Sequence, residues 1–597
     1  MHLSSPADEY RSRLSLRRAE HALWSRRDAR FAYTRLAVFA AFVVLLVLVA
    51  RAGVDWSWLL VPIVAFVVLV QRHDRVIRAR DAAARAVAFY ERGLARIEDR
   101  WPGTGERGER FRDDHHLYAH DLDLFGEGSL FELLSIARTG AGEETLAAWL
   151  KTPAPPAAIA ERHEALIELT GALDLRESLG RAGTDVREGV HTETLLTWAE
   201  GPRRLSPPWF RWVAALFAPL MVAGIFIFFT LGDQTLLVTV LIAQSLFVWP
   251  QLARTEHALH AAEGVARELD VLAHLLERIE REPVQARRLI ALRQMLQTGS
   301  IDASRAIRRL HRLVAIYEWQ HNLMFLVLSM PFLVGTHLAW AIESWRFRYG
   351  QHIREWLTAA GEFEALASLS AYRYEHPGDP FPVIAADAHA RFEGESLGHP
   401  LLPASRMVRN DVRLDATTRL LVVSGSNMSG KSTLLRTAGI NAVLAQAGAP
   451  VRARALTLTP LSLGATLRIQ DSLQEGRSRF YAEITRIREL ADTAAGPRPL
   501  LFLLDELFHG TNSHDRLVGA EGVLRSLLDR GAVGLITTHD LALTAIADQL
   551  APRAVNVHFE DWFEGGEMRF DYRAKAGRVT RSNALALMRA VGLEVDS

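Results

Sequence analysis

Residues Val422 to Thr437 read VVSGSNMSGKSTLLRT. The apolar run LLVVS (Leu420–Ser424) leads into this stretch, and STLLRTAGINAVLAQAG leaves it with helical spacing. Between strand and helix, GSNMSGKS (Gly425–Ser432) fits G-x-x-x-x-G-K-S in full. The chemistry needs this pattern. Glycines let backbone N–H groups curl around phosphates, and the following helix points its positive dipole end at them. Gly425, Ser426, Asn427, Met428, Ser429 and Gly430 are therefore expected to cradle a triphosphate, with Thr433 completing the set. Lys431 is expected to reach the β- and γ-phosphates, and Ser432 to hold Mg²⁺ through its hydroxyl. The chain uses lysine only at Lys151, Lys431 and Lys575, so a lysine directly after Gly430 stands out among the arginines.

A second segment supplies carboxylates. PLLFLLDE (Pro499–Glu506) reads as a buried strand ending in two acids. Asp505 is expected at the strand's carboxyl edge as a second Mg²⁺ ligand, with Glu506 orienting or deprotonating the attacking water. A further apolar strand ends in TTHD, which places His539 as a γ-phosphate sensor. The predicted catalytic set is Glu506, His539 and Lys431, acting on Mg-ATP.

Outward from these motifs, RLLVVSG, LLFLLDE and AVGLITTHD alternate with helical patterns, the signature of a parallel sheet flanked by helices. The proline-rich YEHPGDPFPVI marks where this texture begins. The predicted fold is an α/β nucleotide-binding domain at 379–597, preceded by an all-α region. Residues 73–208 read as a helical core, and 251–378 as helical levers. Within the latter, 251–318 reads as two long helices broken near Thr298–Ser300, with another helix over 345–371.

Apolar segments interrupt the helical part. LAVFAAFVVLLVLVA fills the space between Arg35 and Arg51, and WSWLLVPIVAFVVLVQ follows at Trp56–Gln71. WVAALFAPLMVAGIFIFFTL (Trp212–Leu231) is joined by GDQ to TLLVTVLIAQSLFVWP (Thr235–Pro250). Spanning a bilayer takes about 20 apolar residues, with a lower limit near 17. The first pair is short, but Arg35 and Arg51 can snorkel, and Trp56, Trp58, Trp212 and Trp249 stand where interfacial aromatics belong. Two membrane hairpins are predicted, within 1–72 and at 209–250. Eight arginines in the first 35 residues, Arg72, Arg75, Arg78 and Arg80 after the second span, and Arg203, Arg204 and Arg211 before the third put those flanks in the cytoplasm. The reading is a multi-pass protein of the cytoplasmic (inner) membrane, with its N-terminus and ATPase domain in the cytoplasm and membrane lipid as a partner. NLMFLVLSMPFLVGTHLAWAI (Asn322–Ile342) would break that parity as a fifth span, so it is read as a buried or interfacial helix kinked near Pro331.

Charge is balanced, Lys+Arg 69 against Asp+Glu 69, which argues neither for nor against nucleic acid. With no cysteine, disulfides, thiol nucleophiles and zinc–thiolate sites are excluded, and no zinc is expected.

The same motifs resemble the MutS-type ATPases. GSNMSGKSTLLRT looks like that family's phosphate loop, and LFLLDELFHGTNSHDRL like its Mg²⁺ strand and following turn. EGRSRFYAEITRI (Glu475–Ile487) is similar to the segment that crosses to a partner's nucleotide. HFEDWFEGGEMRFDYRAKAGRVTRSNALALMRAVGL is similar to the C-terminal signature, and HPLL at His399 and RNDVRL at Arg409 to the domain's opening. The likeness is strong over about 395–597 and continues weakly upstream; a membrane-anchored MutS-like branch is the nearest match. It implies a homodimer with composite sites, Ser478 contacting the partner's γ-phosphate, and His558 near the adenine. Where mismatch-repair members stack an aromatic on adenine, this chain offers Met407. The mismatch-reading domain is missing. FYE at Phe89–Glu91 resembles its F-x-E motif but lies in a helical pattern, and is assigned to helix packing. Three functions stay open: a membrane ATPase that moves helical levers, a membrane-tethered DNA-binding protein of repair or recombination, and a cassette-type transporter. The last lacks an LSGGQ-like segment before Leu500.

Overall fold

The computed structural model describes residues 5–181, 192–202, 205, 209–299, 301–319, 329, 331–468, 479–508, 512–564 and 567–579. Ser478, the start of Asn322–Ile342 and the signature from Thr580 onward lie outside the described residues.

Regular structure in the described chain up to Glu375 is helical, apart from a hairpin of two-residue strands, Gln297–Thr298 against Ile301–Asp302, but residues 98–129, expected within a helical core, form turns, loop and one 3-10 turn. Helix α1 (Pro6–Ala52) is capped at its start by the Ser5 side chain, which accepts from Asp8 N, and ended by Gly53 in the left-handed region. Its 47 residues make it about 70 Å long. The apolar run 36–50 is thus the far end of one continuous rod rather than a separate helix. Helix α2 (Leu60–Ile97) returns alongside it and passes residue 72 without a break. Asp28 on α1 fixes their register, meeting His73 Nε2 at 2.7 Å and Arg80 Nη1 at 2.6 Å.

Helix α3 (Gly140–Lys151) and helix α4 (Pro156–Thr170) follow. Helix α5 (Trp209–Leu231) and helix α6 (Thr235–Val248) form the second apolar pair, and α6 runs through a short 3-10 turn into helix α7 (Leu252–Arg281). Among the described residues, four helical stretches are long and apolar enough to cross a membrane: Pro6–Ala52, Trp56–Ile97, Trp209–Leu231 and Thr235–Ala266. Their apolar side chains face outward, as at Phe229 and Trp249.

Two sequence expectations change. Residues 251–318 hold three helices, not two: α7 stops at Arg281, a short helix covers Arg287–Met295, and helix α8 (Ala303–Trp319) follows the small hairpin. Pro283 cannot continue α7, because it lacks the N–H and disfavours helical backbone before it. Over 331–342, Pro331–Leu333 forms a turn, with Leu333 at φ 49°, and helix α9 starts only at Val334 and runs to Tyr349. Helix α10 (Ile353–Glu375) is buried along most of its length, with Trp356 and Phe363 inaccessible. The Phe89–Tyr90 pair of FYE packs inward, as expected. The Phe89 ring lies against Gly180, and Tyr90 donates to Glu177 Oε2 at 2.5 Å.

Beyond the prolines the chain becomes α/β. Strand β1 (Leu420–Ser424) leads to helix α11 (Lys431–Ala447), and strand β2 (Ser462–Thr466) to helix α12 (Arg479–Ala494). Strand β3 (Leu500–Leu504), helix α13 (Ser513–Asp529) and strand β4 (Val533–Thr538) follow, then strands β5 (Ala554–Glu564) and β6 (Glu567–Ala576). The sheet order is β6-β5-β1-β4-β3-β2, parallel except for the β5–β6 hairpin. Side chains alternate between two cores. Leu421 and Val423 face the core shared with the helical region, and Leu420 and Val422 face the one under α12 and α13. A second sheet of four short strands (Val383–Ile384, Phe392–Leu397, Asn410–Leu414, Ala455–Leu458) packs on the first core.

Candidate functional site

The parallel register puts the carboxyl ends of the central strands on one edge. Thr538 is level with Ser424, and so is His558, while Ile536 is level with Leu504. In parallel α/β sheets this is the edge where ligands bind. The loop Gly425–Gly430 emerges there. Gly425 sits at φ 146° and Gly430 at φ 104°, backbone that a side chain resists. A Cβ on Gly425 would also lie 3.0 Å from Phe559 O and 3.0 Å from Ser429 Oγ.

Lys431 opens α11 and is 4% exposed. Its ammonium folds back onto the loop, donating to Gly425 O and Ser426 O, each at 2.8 Å. Burial lowers its pKa, opposed by the negative charges of Glu506, Asp505 and Asp561. Ser426 Oγ and Ser429 Oγ are buried and have no hydrogen-bond partner among the described residues. Orphaned hydroxyls inside a glycine cradle, beside an ammonium held by carbonyls alone, fit an anion with many acceptor oxygens. Asn427 and Met428 stand outside, Met428 at φ 69° and 86% exposed. Ser432 is half-buried, and Thr433 is exposed.

Asp505 and Glu506 follow β3 at the same edge. Thr537, the penultimate residue of β4, holds both. Its hydroxyl donates to Asp505 Oδ1 and accepts from Glu506 N at 3.1 Å. Asp505 N is fixed to Thr466 O at 3.0 Å. Glu506 takes a left-handed backbone, φ 50°, which for a non-glycine residue is a strained position typical of functional loops. His539 Nδ1 lies 3.2 Å from Glu506 Oε1. Ammonium, two carboxylates and an imidazole thus share one strand edge.

His558 Nδ1 lies 3.0 Å from Gly577 O, and its Nε2 is 3.3 Å from Glu560 Oε1. Met407 packs its sulfur against Gly398, beside Arg452. The aromatics Tyr572 and Phe559 stand over the loop: a Cβ on Gly430 would lie 3.2 Å from Tyr572 Cδ1 and 3.8 Å from Phe559 Cε1. Asn410 clamps the strand of Tyr572, donating to Tyr572 O at 3.0 Å and accepting from Ala574 N at 2.8 Å. Neither Tyr572 nor Thr537 was singled out in the sequence. The alternation F-D-Y at 570–572 was a strand signal for the first, and the hydroxyl in TTHD for the second.

The helical region reaches this edge too. Leu117 O accepts from Ala465 N at 2.8 Å, and buried Asp121 accepts from Leu467 N and Arg468 N at 2.7 and 2.8 Å. Burial raises the Asp121 carboxyl despite those bonds.

Residues 421–595 match the family MutS domain V. Among curated proteins, the chain is 35% identical over 211 residues to an endonuclease MutS2 of Thermus thermophilus, covering 34% of this chain and 26% of that protein. It is 35% identical over 239 residues to a DNA mismatch repair protein MutS 2 of Halobacterium salinarum, covering 39% and 27%. With a DNA mismatch repair protein MutS of Exiguobacterium it shares 35% identity over 191 residues, covering 31% and 22%. The chain thus spans about a quarter of the length of these relatives.

Proposed function

We propose that this chain, whose C-terminal domain belongs to the MutS family, is a membrane-anchored ATPase that binds Mg-ATP at the strand edge described above and uses the closing of two such domains to move its helices. The observation that carries this reading is the joint placement of Lys431, the orphaned hydroxyls of Ser426 and Ser429, and the Thr537-held carboxylates at one edge.

In this reading the N–H groups of Gly425–Gly430 bind the β-phosphate. Lys431 leaves its two loop carbonyls for the β,γ-phosphate oxygens, exchanging neutral acceptors for charged ones. Ser432 and Asp505 would hold Mg²⁺, which neutralises phosphate charge when bound. Glu506 takes a proton from the attacking water, and His539, within hydrogen-bond reach of that carboxylate, orients it and contacts the γ-phosphate. Tyr572 offers an aromatic face beside Gly430 for the base, in place of Met407, with His558 on the neighbouring strand. Ser478 of a second copy completes each site, so the working form is a homodimer.

The four apolar helical stretches support placement in the cytoplasmic membrane, with the N-terminus and the ATPase domain on the cytoplasmic side. DNA is the second partner to test, because the similar proteins are named for mismatch repair and endonuclease activity. The test is the ATPase rate of the full-length protein in nanodiscs, alone and with duplex, branched or mismatched DNA. Hydrolysis abolished by Glu506→Gln supports the assignment. Stimulation by DNA would make the membrane-tethered repair reading the better one, and hydrolysis unchanged in Glu506→Gln would remove the assigned base.

A further inference from the structure

A line of buried polar side chains leads from the helix after the Gly425–Gly430 loop to the base of the α1–α2 pair. Asn441, fully buried on α11, lies ten residues beyond Lys431, about 15 Å along a rigid helix. Its amide donates to Gly398 O and Thr437 O, and its Oδ1 accepts from Arg452 N at 2.8 Å. The Arg452 guanidinium meets Asp379 at 3.1 Å, and Asp379 Oδ2 accepts from Tyr372 OH at 3.1 Å. Tyr372 belongs to the last turns of α10.

Residues 372–379 form a tight elbow. His376 N donates to Tyr372 O, and Asp379 N to His376 O, each at 3.0 Å. On its other side stands Glu375, whose side chain is inaccessible to solvent. Its carboxylate takes a two-pronged bond from Arg96 of α2, Nε to Oε2 at 2.6 Å and Nη2 to Oε1, and a third bond from Tyr10 OH of α1 at 3.1 Å. Tyr10 also packs on the rings of Tyr90 and Tyr374. From Tyr10 and Arg96, α1 and α2 run unbroken to the apolar ends at 36–50 and 60–70.

Nothing in stability alone requires this arrangement, since buried ion pairs are often no more stabilising than packed hydrocarbon. Its directional bonds instead tie the position of Asp379 to that of Glu375 within one short turn. We propose that this elbow, Tyr372 to Asp379, is the joint that transmits the nucleotide state of the Gly425–Ser432 loop to the α1–α2 pair, with Arg452 and Asp379 as its input and Glu375 as its output. This deepens the ATPase reading and rests on it. A shift of α11 on nucleotide binding displaces Arg452. Because Asp379, Tyr372 and Glu375 are buried, losing a partner there is costly, and the elbow moves as a unit or breaks its bonds.

The test is hydrogen–deuterium exchange on the full-length protein in nanodiscs, carrying Glu506→Gln to hold nucleotide, with and without Mg-ATP. Glu375→Gln would strand the buried Arg96 charge and risk misfolding, so the informative variants are Tyr372→Phe and Tyr10→Phe, which each remove one hydroxyl. Without a joint substitution, Mg-ATP is expected to slow exchange over 420–447 and to change it at least about twofold over 6–20 and 86–97, amides that report local opening. In Tyr372→Phe the response at 420–447 persists and that at 6–20 and 86–97 is lost, while exchange without nucleotide is unchanged there. A merely structural role would instead raise exchange without nucleotide. An unaltered response in both variants overturns the joint, and so does Mg-ATP protection at 420–447 with no change in α1 or α2. No protection at 420–447 at all overturns the ATPase reading, and this inference with it.

Discussion

Thr537→Val isolates the residue that organises the two carboxylates. Valine has nearly the shape of threonine, so no cavity opens in the buried end of β4. What is lost is chemical. The hydroxyl's bond to Asp505 is charge-assisted, a class worth about 1.5–3 kcal/mol. The Glu506 N–H, now bonded at 3.1 Å, loses its acceptor in a largely buried turn, which costs about 1–3 kcal/mol when water cannot replace it. The two losses share one site and do not add in full, so a destabilisation of about 2–4 kcal/mol is expected. Function should suffer separately. Glu506 holds φ 50° only because its surroundings enforce it, and release of its N–H lets the backbone relax. Turnover should fall by roughly 10- to 100-fold, since misplacement of a catalytic group by about 1 Å costs on that order. The assays are chemical or thermal unfolding of the purified protein and single-turnover ATP hydrolysis. A Thr537→Val protein with unaltered stability and unaltered turnover would refute the view that Thr537 sets the carboxylate geometry.

Glu506→Gln should bind Mg-ATP as the unsubstituted protein does, yet hydrolyse it some 10²–10⁴-fold more slowly, as measured by equilibrium binding and steady-state turnover. Glu364 of α10 is buried, accepts Arg138 N at 2.8 Å and Thr139 N at 3.2 Å, and is pushed by burial up to about 7. A carboxyl raised in the folded state contributes stability below its unfolded pKa of about 4.3 and loses it as pH rises through about 7. The unfolding free energy of the native protein should therefore fall by up to roughly 3 kcal/mol between about pH 4 and pH 8, a slope that Glu364→Gln, which does not titrate, should lack. A Cβ at Gly439 would stand 2.6 Å from Leu503 Cδ1 and 2.7 Å from Leu122 Cδ2, both fully buried. Gly439→Val should cost about 1–3 kcal/mol by overpacking, seen as a lower unfolding midpoint.

Much of the site was legible because its signals are local. A strand, a glycine-flanked turn and a helix follow one another within Leu420–Ala447, and the acids of Asp505–Glu506 directly end an apolar run. The contributions of Thr537 and Tyr572 were not legible, because each depends on which strand lies beside which. The register of β4 between β1 and β3, and the fold-back of β6 onto β5, are set by tertiary packing rather than by neighbouring residues. Tyr10 and Glu375 are 365 positions apart, and no periodicity links them. The length of α1 was hidden for another reason. Its first half is charged and its second half apolar, so the pattern read as two textures although the backbone continues through both. Within 251–318, the helical periodicity on both sides of Pro283 masked the stop that the proline imposes.

The most direct measurement of the central claim is nucleotide binding by the full-length protein, titrated with Mg-ATP alongside Lys431→Met. The account predicts Mg²⁺-dependent binding that weakens at least about tenfold in the variant, since one charge-assisted bond to phosphate is worth about 1.5–3 kcal/mol. No binding by the unsubstituted protein, or equal affinity in Lys431→Met, would contradict it.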